Sequence, residues 1–280
     1  MLDIKEIRRD PERIAKVVGR RGKDIDMKPF LEADEKRREI IAKIEALQSQ
    51  RNTKSKEVGM LKRNGENADA LMAEVGAINE EIKTLEASKE GVDEIVNTFV
   101  ASLPNMPDDS IPDGGEDDYV VQRTWGEPRK FDFEAKAHWD IGENLGILDF
   151  ERAAKVTGSR FVFYKGLAAR LERALISFMI DMHTDNQGYT ELIPPYMTNS
   201  TSDFGTGQLP KFAEDMFHLE GTDYYLIPTA EVPVTNYHRD EILTNKDLPV
   251  KYCAFSPCFR SEAGAYGKDV RGLIRQHQFD

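Results

Sequence analysis

The chain has 280 residues and a formal net charge of -12, with 50 Asp and Glu against 38 Lys and Arg. The length points to two units rather than one, and the acidic total excludes a surface that coats nucleic acid or anionic lipid throughout, while leaving room for a local basic patch. No stretch approaches the roughly 18 uninterrupted apolar residues of a membrane span; the charged start, Leu2-Asp3-Ile4-Lys5-Glu6, has neither a signal core nor a transit-peptide composition, so a cytoplasmic protein is expected.

Asp10-Pro11-Glu12 has the form of a helix start, with an acidic cap, proline at the first helical position and an acid in the first turn. After a break from Gly19 to Lys28, a highly charged segment runs to about Ala101, its apolar residues alternating at spacings of three and four. One seam reads Arg37, Ile40, Ile44, Leu47, Arg51, Lys54, Val58, Leu61, and a second reads Val75, Ile78, Ile82, Leu85, Lys89, Val92, Val96, Phe99. A glycine turn, Arg63-Asn64-Gly65-Glu66-Asn67, separates them. The pattern predicts a helical hairpin of two antiparallel helices, each roughly 35 residues and about 50 Å long. Arg51 and Lys54 on the seam are expected to turn their charged ends toward solvent.

The charge of this arm is lopsided. Its first helix carries Lys36, Arg37, Arg38, Lys43, Arg51, Lys54, Lys56, Lys62 and Arg63, whereas the second carries only Lys83 and Lys89 among Glu74, Glu80, Glu81, Glu86, Glu90, Asp93 and Glu94. Two mutually attracting solvated faces explain this plainly, and a basic helix that meets a phosphate backbone is the sharper alternative.

Ser102 to Asp118, with Pro104, Pro107, Pro112, Gly114 and Gly115 among acids, reads as a linker. Beyond it, Trp125 to Phe133 and Phe161 to Tyr164 are aromatic, strand-like runs, and Leu167, Leu171, Leu175, Phe178, Met179 and Met182 form one face of an amphipathic helix. Short strands are predicted around 191–193, 216–219, 224–227, 251–256 and 274–279, and their close spacing suggests an antiparallel sheet. Cys253 and Cys258 are read as buried thiols, neither metal ligands nor a disulfide framework. The five histidines are scattered and read as hydrogen-bonded structural residues.

Near the end of the chain, Cys258-Phe259-Arg260-Ser261-Glu262 is expected to alternate across a sheet, placing Arg260 and Glu262 on one face. A salt bridge explains an isolated Arg-x-Glu. Here the loop Ala263 to Asp269 comes next, and then Arg271, Arg275 and His277; so many guanidinium groups about one hairpin suit an anionic ligand such as a triphosphate or a nucleic-acid end.

These residues carry a resemblance. Phe259-Arg260-Ser261-Glu262-Ala263-Gly264 through Arg275-Gln276-His277-Gln278-Phe279 resembles motif 2 of the class II aminoacyl-tRNA synthetases, in the form found in the seryl-tRNA synthetase family. Gly188 to Pro195 resembles motif 1, with Pro195 at its characteristic proline, and Thr229-Ala230-Glu231 resembles the family's serine-recognising step. Gly158-Ser159-Arg160-Phe161, the proline-rich linker and the long hairpin also fit.

The resemblance implies an α+β fold: an N-terminal antiparallel coiled-coil arm that binds tRNA (1–101), a linker (102–118), and a class II antiparallel-sheet catalytic domain (119–280) incomplete at its C-terminus. It implies ATP-dependent activation of L-serine to seryl-adenylate and transfer to tRNA(Ser), with tRNA(Sec) as a possible second acceptor, in a homodimer using Mg2+. Arg260 is implied as the catalytic cation. Thr229, Ala230 and Glu231 join Arg260 in serine binding; Ser261, Glu262, Arg275, Gln276 and Phe279 join it for ATP. Arg38, Lys43, Lys56, Lys62 and Tyr266 are implied for tRNA. No metal ligand is assigned, because the class's acidic metal ligand is expected beyond residue 280; motif 3, with a further ATP-binding arginine, and the serine-contacting glutamate after His-Gln-Phe are expected there too, so these 280 residues alone are expected to show little or no aminoacylation. The competing readings are a non-catalytic synthetase-like protein that uses the arm for binding, and a purely structural coiled coil, which leaves the C-terminal half unexplained.

Overall fold

A computed structural model describes residues 2–22, 24–115, 117–262 and 271–280, which divide into two compact units, 1–126 and 127–280. The first begins with α1 (Ile4–Arg9), which the sequence pattern did not signal, and α2 (Pro11–Gly19). Asp10 caps α2 by accepting from the Arg13 amide at 3.1 Å, with Pro11 opening the helix. Then come the two long helices, α3 (Lys28–Asn64) and α4 (Asp69–Ser102).

The hairpin follows the predicted seam closely. Ile40, Ile44, Ile78, Ile82, Val92 and Val96 are buried; Leu47, Val58, Leu61, Val75, Leu85 and Phe99 are half-buried. The turn forms because Gly65 takes a left-handed conformation (φ 75°), which lets the Glu66 amide donate to Leu61 O at 2.9 Å and the Gly65 amide to Lys62 O at 3.3 Å. Those two bonds satisfy carbonyls that the helix end leaves open. Polar seam positions find partners across the hairpin: Arg37 Nε donates to Asp93 at 2.5 Å, and Lys54 pairs with Glu74. Lys89 reaches the same Asp93 carboxylate at 2.5 Å, so Arg37, Lys54 and Lys89 on the seam each meet an acid. Arg51, also on the seam, contacts Asn52 at 3.4 Å.

At the root of the arm, α1 and α2 pack on the hairpin through Ile7, Ile14, Val18 and Phe30, all under 2 % exposed, with Phe30 stacked on Phe99 at 5.5 Å between centroids. Burying side chains of this size contributes about 1.5–3 kcal/mol each. The first part of the linker is not free chain. Leu103 and Met106 pack on this core, and Arg20 holds the segment beyond them, bonding Asp113 and the carbonyls of Ile111 and Asp108.

The strand expected over 125–133 does not form, and Trp125 is 96 % exposed. Alternating aromatic and β-branched residues favour a pleated surface only when a neighbouring strand covers them, and none is paired there. The elements that do form are α5 (His138–Asn144), β1 (Leu148–Asp149), α6 (Phe150–Val156), β2 (Phe163–Tyr164), α7 (Leu167–Asp181), β3 (Thr190–Glu191), β4 (Met197–Asn199), α8 (Ser200–Gly205), β5 (Tyr224–Leu226), α9 (Glu231–Asn236), β6 (Tyr252–Cys253), β7 (Cys258–Phe259) and β8 (Gln278–Phe279). The strands are shorter than predicted, and 216–219 contributes only a bridge from His218 to Tyr225.

Antiparallel pairing joins β1 to β2, β4 to β5 and β7 to β8, while β3 and β6 run parallel, Thr190 opposite Tyr252. The parallel pair reflects the long crossover between those strands. Cys258 is buried as expected, but Cys253, at the parallel strand, is only half-buried. The apolar face of α7 is displayed rather than covered: Leu167, Leu171, Leu175 and Phe178 are all more than 40 % exposed. Among the described residues, no helix is long and apolar enough to cross a membrane.

Candidate functional site

The arm residues singled out for tRNA separate by position. Arg38, Lys43, Lys56 and Lys62 are all exposed on α3, but Arg38 also pairs with Asp34 at 3.2 Å. Lys43 immediately precedes the seam residue Ile44, whereas Lys62 immediately succeeds Leu61, which sets them on opposite flanks of the seam. Tyr266 and the loop read from Ala263 to Asp269 lie outside the described residues.

In the second unit, the pairing of β7 with β8 brings the motif-like residues together. Strand geometry ends at Phe259, earlier than expected, so Arg260 and Glu262 do not share a strand face. Backbone bonds continue: the Arg260 amide donates to His277 O at 2.9 Å, and His277 Nδ1 lies 2.9 Å from Arg260 O. The Arg260 side chain donates through Nε to Pro228 O at 3.0 Å, directly before Thr229 and Ala230. Its guanidinium lies over the Phe279 ring, 4.9 Å from the centroid. Among the described residues no carboxylate pairs with it, and its two terminal nitrogens carry no hydrogen bond.

Glu262 instead pairs with Arg275 at 3.1 Å. Both residues have positive φ, 48° and 52°, as does Arg160 at 63°. Left-handed backbone at a residue with a side chain costs of order 1–3 kcal/mol. Here the three are linked: Arg160 Nη1 donates to Glu262 O at 3.3 Å, and the His277 amide donates to Arg160 O at 3.0 Å. The sequence reading left Arg160 without an individual role, and no local signal sets it beside residues more than 100 positions away.

Two other residues have inward tasks. Ser261 donates its hydroxyl to Glu214 O at 2.5 Å and its amide to Asp215 O at 2.9 Å, which fastens this segment to the short helical turn Ala213–Asp215. Gln276 is buried and donates Nε2 to Gly272 O at 2.6 Å, so its amide is not presented to solvent. Thr229 Oγ1 accepts from the Glu231 amide at 3.4 Å at the start of α9, and Glu231 itself is exposed.

A cavity of about 530 Å³ lies against these residues, lined by Thr229, Ala230, Ser256, Cys258 and Phe279 among others. Phe279 also borders a second cavity of about 960 Å³, which runs along the apolar side of α7. In that second space burial and the neighbouring Asp280 carboxyl push Glu172 up to about 7.

Residues 1–107 match the family described as the seryl-tRNA synthetase N-terminal domain, and residues 216–280 match the class II tRNA synthetase core domain (G, H, P, S and T). The fold superimposes on the seryl-tRNA synthetase of Pyrococcus horikoshii, solved with ATP, at a TM-score of 0.86 and 37 % identity, covering 100 % of this chain and 68 % of that one. The chain belongs to the seryl-tRNA synthetase family.

A serine-tRNA ligase of Naegleria fowleri, solved with AMP, gives a TM-score of 0.79 at 28 % identity, covering 100 % of this chain and 69 % of that one. The serine--tRNA ligases of Listeria innocua and Carboxydothermus hydrogenoformans are 57 % and 53 % identical across the whole of this chain, which spans 66 % of the length of each. As in the family, a helical hairpin precedes a class II core, and in this chain Pro228, His277 and Phe279 lie against Arg260.

Proposed function

We propose that this chain supplies the tRNA-binding arm and the first part of the catalytic domain of an enzyme that activates L-serine with ATP and transfers it to tRNA(Ser), with tRNA(Sec) as a second acceptor. The observation that carries the reading is the placement of Arg260. Anchored by Nε on the carbonyl that precedes Thr229, and lying over Phe279, one guanidinium spans the proposed serine and nucleotide contacts. In the first step the serine carboxylate attacks the α-phosphorus of ATP, forming seryl-adenylate and releasing pyrophosphate; a terminal ribose hydroxyl of tRNA then takes the seryl group. Both reactants of the first step are anions, and positioning them beside a fixed cation supplies most of what such a transfer needs.

In this reading Thr229 and Glu231 face serine, Phe279 offers an aromatic face to the base, and Glu262 and Arg275, whose ion pair fixes both side chains, meet the adenosine and the terminal phosphates. Selecting serine over alanine requires hydrogen bonds to the hydroxyl, because unpaired polar groups left in a pocket reject the analogue. Mg2+ arrives with the phosphates of ATP; among the described residues no three acidic, His or Cys side chains group as a ligand set. Leu171, Leu175, Ile193 and Met197 are each exposed, and these apolar side chains are the ones that would contribute to a homodimer interface. A cytoplasmic location fits the composition.

The test is amino-acid-dependent ATP–pyrophosphate exchange by the full-length protein across the standard amino acids. Exchange with serine alone is expected, with alanine at least a hundredfold below it; equal exchange with several amino acids, or none, rejects the assignment. For the arm, replacing Arg38, Lys43, Lys56 and Lys62 together with alanine is expected to weaken tRNA(Ser) binding and to flatten its salt dependence. Because Lys43 and Lys62 lie on opposite flanks, the drop in the slope of log K against log salt should fall short of four phosphate contacts, each of which is worth about 0.7–0.9. An unchanged slope in a filter-binding titration removes α3 from the contact.

A further inference from the structure

Outside the synthetase-like motifs, the first residues of α5 hold the returning limb of the hairpin. His138 Nε2 accepts a hydrogen bond from the Leu273 amide at 2.8 Å, across 135 positions of sequence. The neighbouring Gly272 has φ 64°, and a Cβ there would lie 2.4 Å from His138 Nε2 and 2.6 Å from Trp139 Cε3. The backbone thus rests directly on the two rings, which themselves meet edge to face at 4.8 Å. Glycine is required twice over: for the left-handed conformation and for the space. From the other side, Gln276 Nε2 donates to Gly272 O at 2.6 Å and closes the turn.

The chain runs from Gly272 straight into the site. Arg275 pairs with Glu262, His277 is bonded to the backbone of Arg260, and Phe279 lies beneath the Arg260 guanidinium. A shift of the turn at Gly272 therefore moves Arg275 and Phe279 relative to Arg260. We propose that His138 and Trp139 are positioning residues for ATP: they form the seat on which Gly272 and Leu273 rest, and so set where Arg275 and Phe279 meet the nucleotide. The proposal rests on the reading of this site as a serine-activating one. His138 touches neither substrate; it acts through the turn. As an acceptor, its Nε2 must be the unprotonated nitrogen of the ring.

The experiment uses the full-length protein with His138→Leu, which removes the acceptor, and His138→Gln, which restores one. In His138→Leu the KM for ATP in serine-dependent exchange is expected to rise about three- to tenfold, the value of one hydrogen bond, with the KM for serine unchanged. His138→Gln should return the KM for ATP to within about twofold of the parent. Gly272→Ala, which strikes both rings, should raise the KM for ATP further. An unchanged KM for ATP in His138→Leu, or an equal rise in both KM values, overturns the positioning role.

A second readout stands apart from catalysis. Hydrogen exchange at the Leu273 amide should be slow in the parent and in His138→Gln, and faster in His138→Leu. Rapid exchange in the parent overturns the seat itself, whatever the kinetics show. Should the parent give no serine-dependent exchange at all while Leu273 remains protected, the functional reading falls; the seat is then tested for nucleotide by ATP binding alone, where an unchanged Kd for ATP in His138→Leu overturns the proposal.

Discussion

Replacing Arg260 with alanine in the full-length protein is expected to lower serine-dependent ATP–pyrophosphate exchange by about a hundredfold, with little change in thermal stability. The size comes from removing one preorganised cation aimed at charge that develops in the reaction, worth on the order of 3 kcal/mol. Stability should hold because the side chain is exposed and its internal contacts amount to one bond to Pro228 O and the face of Phe279. Arg260→Lys separates charge from shape. A lysine keeps the positive charge but presents a point rather than a planar fork. It is expected to recover only part of the loss. Exchange within threefold of the parent in Arg260→Ala removes this residue from the chemistry.

The second large effect lies in the other unit. Asp34 is 1 % exposed and accepts two bonds from Arg8, each at 2.7 Å, with Arg38 at 3.2 Å on the same carboxylate. Asp34→Ala leaves Arg8, which is two-thirds buried, without its carboxylate partner. Because Arg8 is one-third exposed and regains water, the cost is below that of a fully buried pair, about 1.5–3 kcal/mol for the lost charged hydrogen bonds. Urea titration followed by the helical signal at 222 nm should show this unit unfolding earlier by that amount, and an unchanged midpoint would show that the pair contributes nothing.

The same pair has a pH signature. The Arg8 guanidinium bonded to Asp34 is the largest influence on that carboxyl and holds it below the ordinary aspartate range, more strongly than burial raises it. The unfolded chain therefore binds this proton more readily than the folded one. Stability from the pair is complete above the unfolded value, about 3.9, and is lost as pH falls from there through the lower folded value. Asp34→Asn should erase that component of the acid transition.

The hairpin was legible because its signal is repeated: each turn of helix presents another seam residue, and an error at one is outvoted by the rest. Arg37 and Lys54 broke the apolar pattern without breaking the register, since Asp93 and Glu74 answer them across the seam. Nothing periodic announces Asp34, whose meaning depends on Arg8, 26 residues away. The segment from Trp125 to Phe133 misled for a related reason. Strand propensity describes one partner of a pairing, and sequence does not show whether the other is present.

At the site, the residue types were readable and their orientations were not. Arg260 and Glu262 looked like neighbours on one face, yet the left-handed backbone at Glu262 turns it to Arg275. Gln276 is expected among the nucleotide contacts, and nothing in the sequence announces that its Nε2 donates to Gly272 O. His138 read as one of several structural histidines, and only the fold brings it to Leu273.

The ion-paired seam between α3 and α4 has a mechanical corollary. At 1.5 Å per residue, the helix pair is about 50 Å long, so within this unit a tilt of about five degrees at the end packed on α1 and α2 carries the far end by roughly 4 Å, more than a hydrogen bond's length. Salt links such as Arg37–Asp93, near the base, thus act as stays on a lever, and a substitution there can misaim a contact it never approaches.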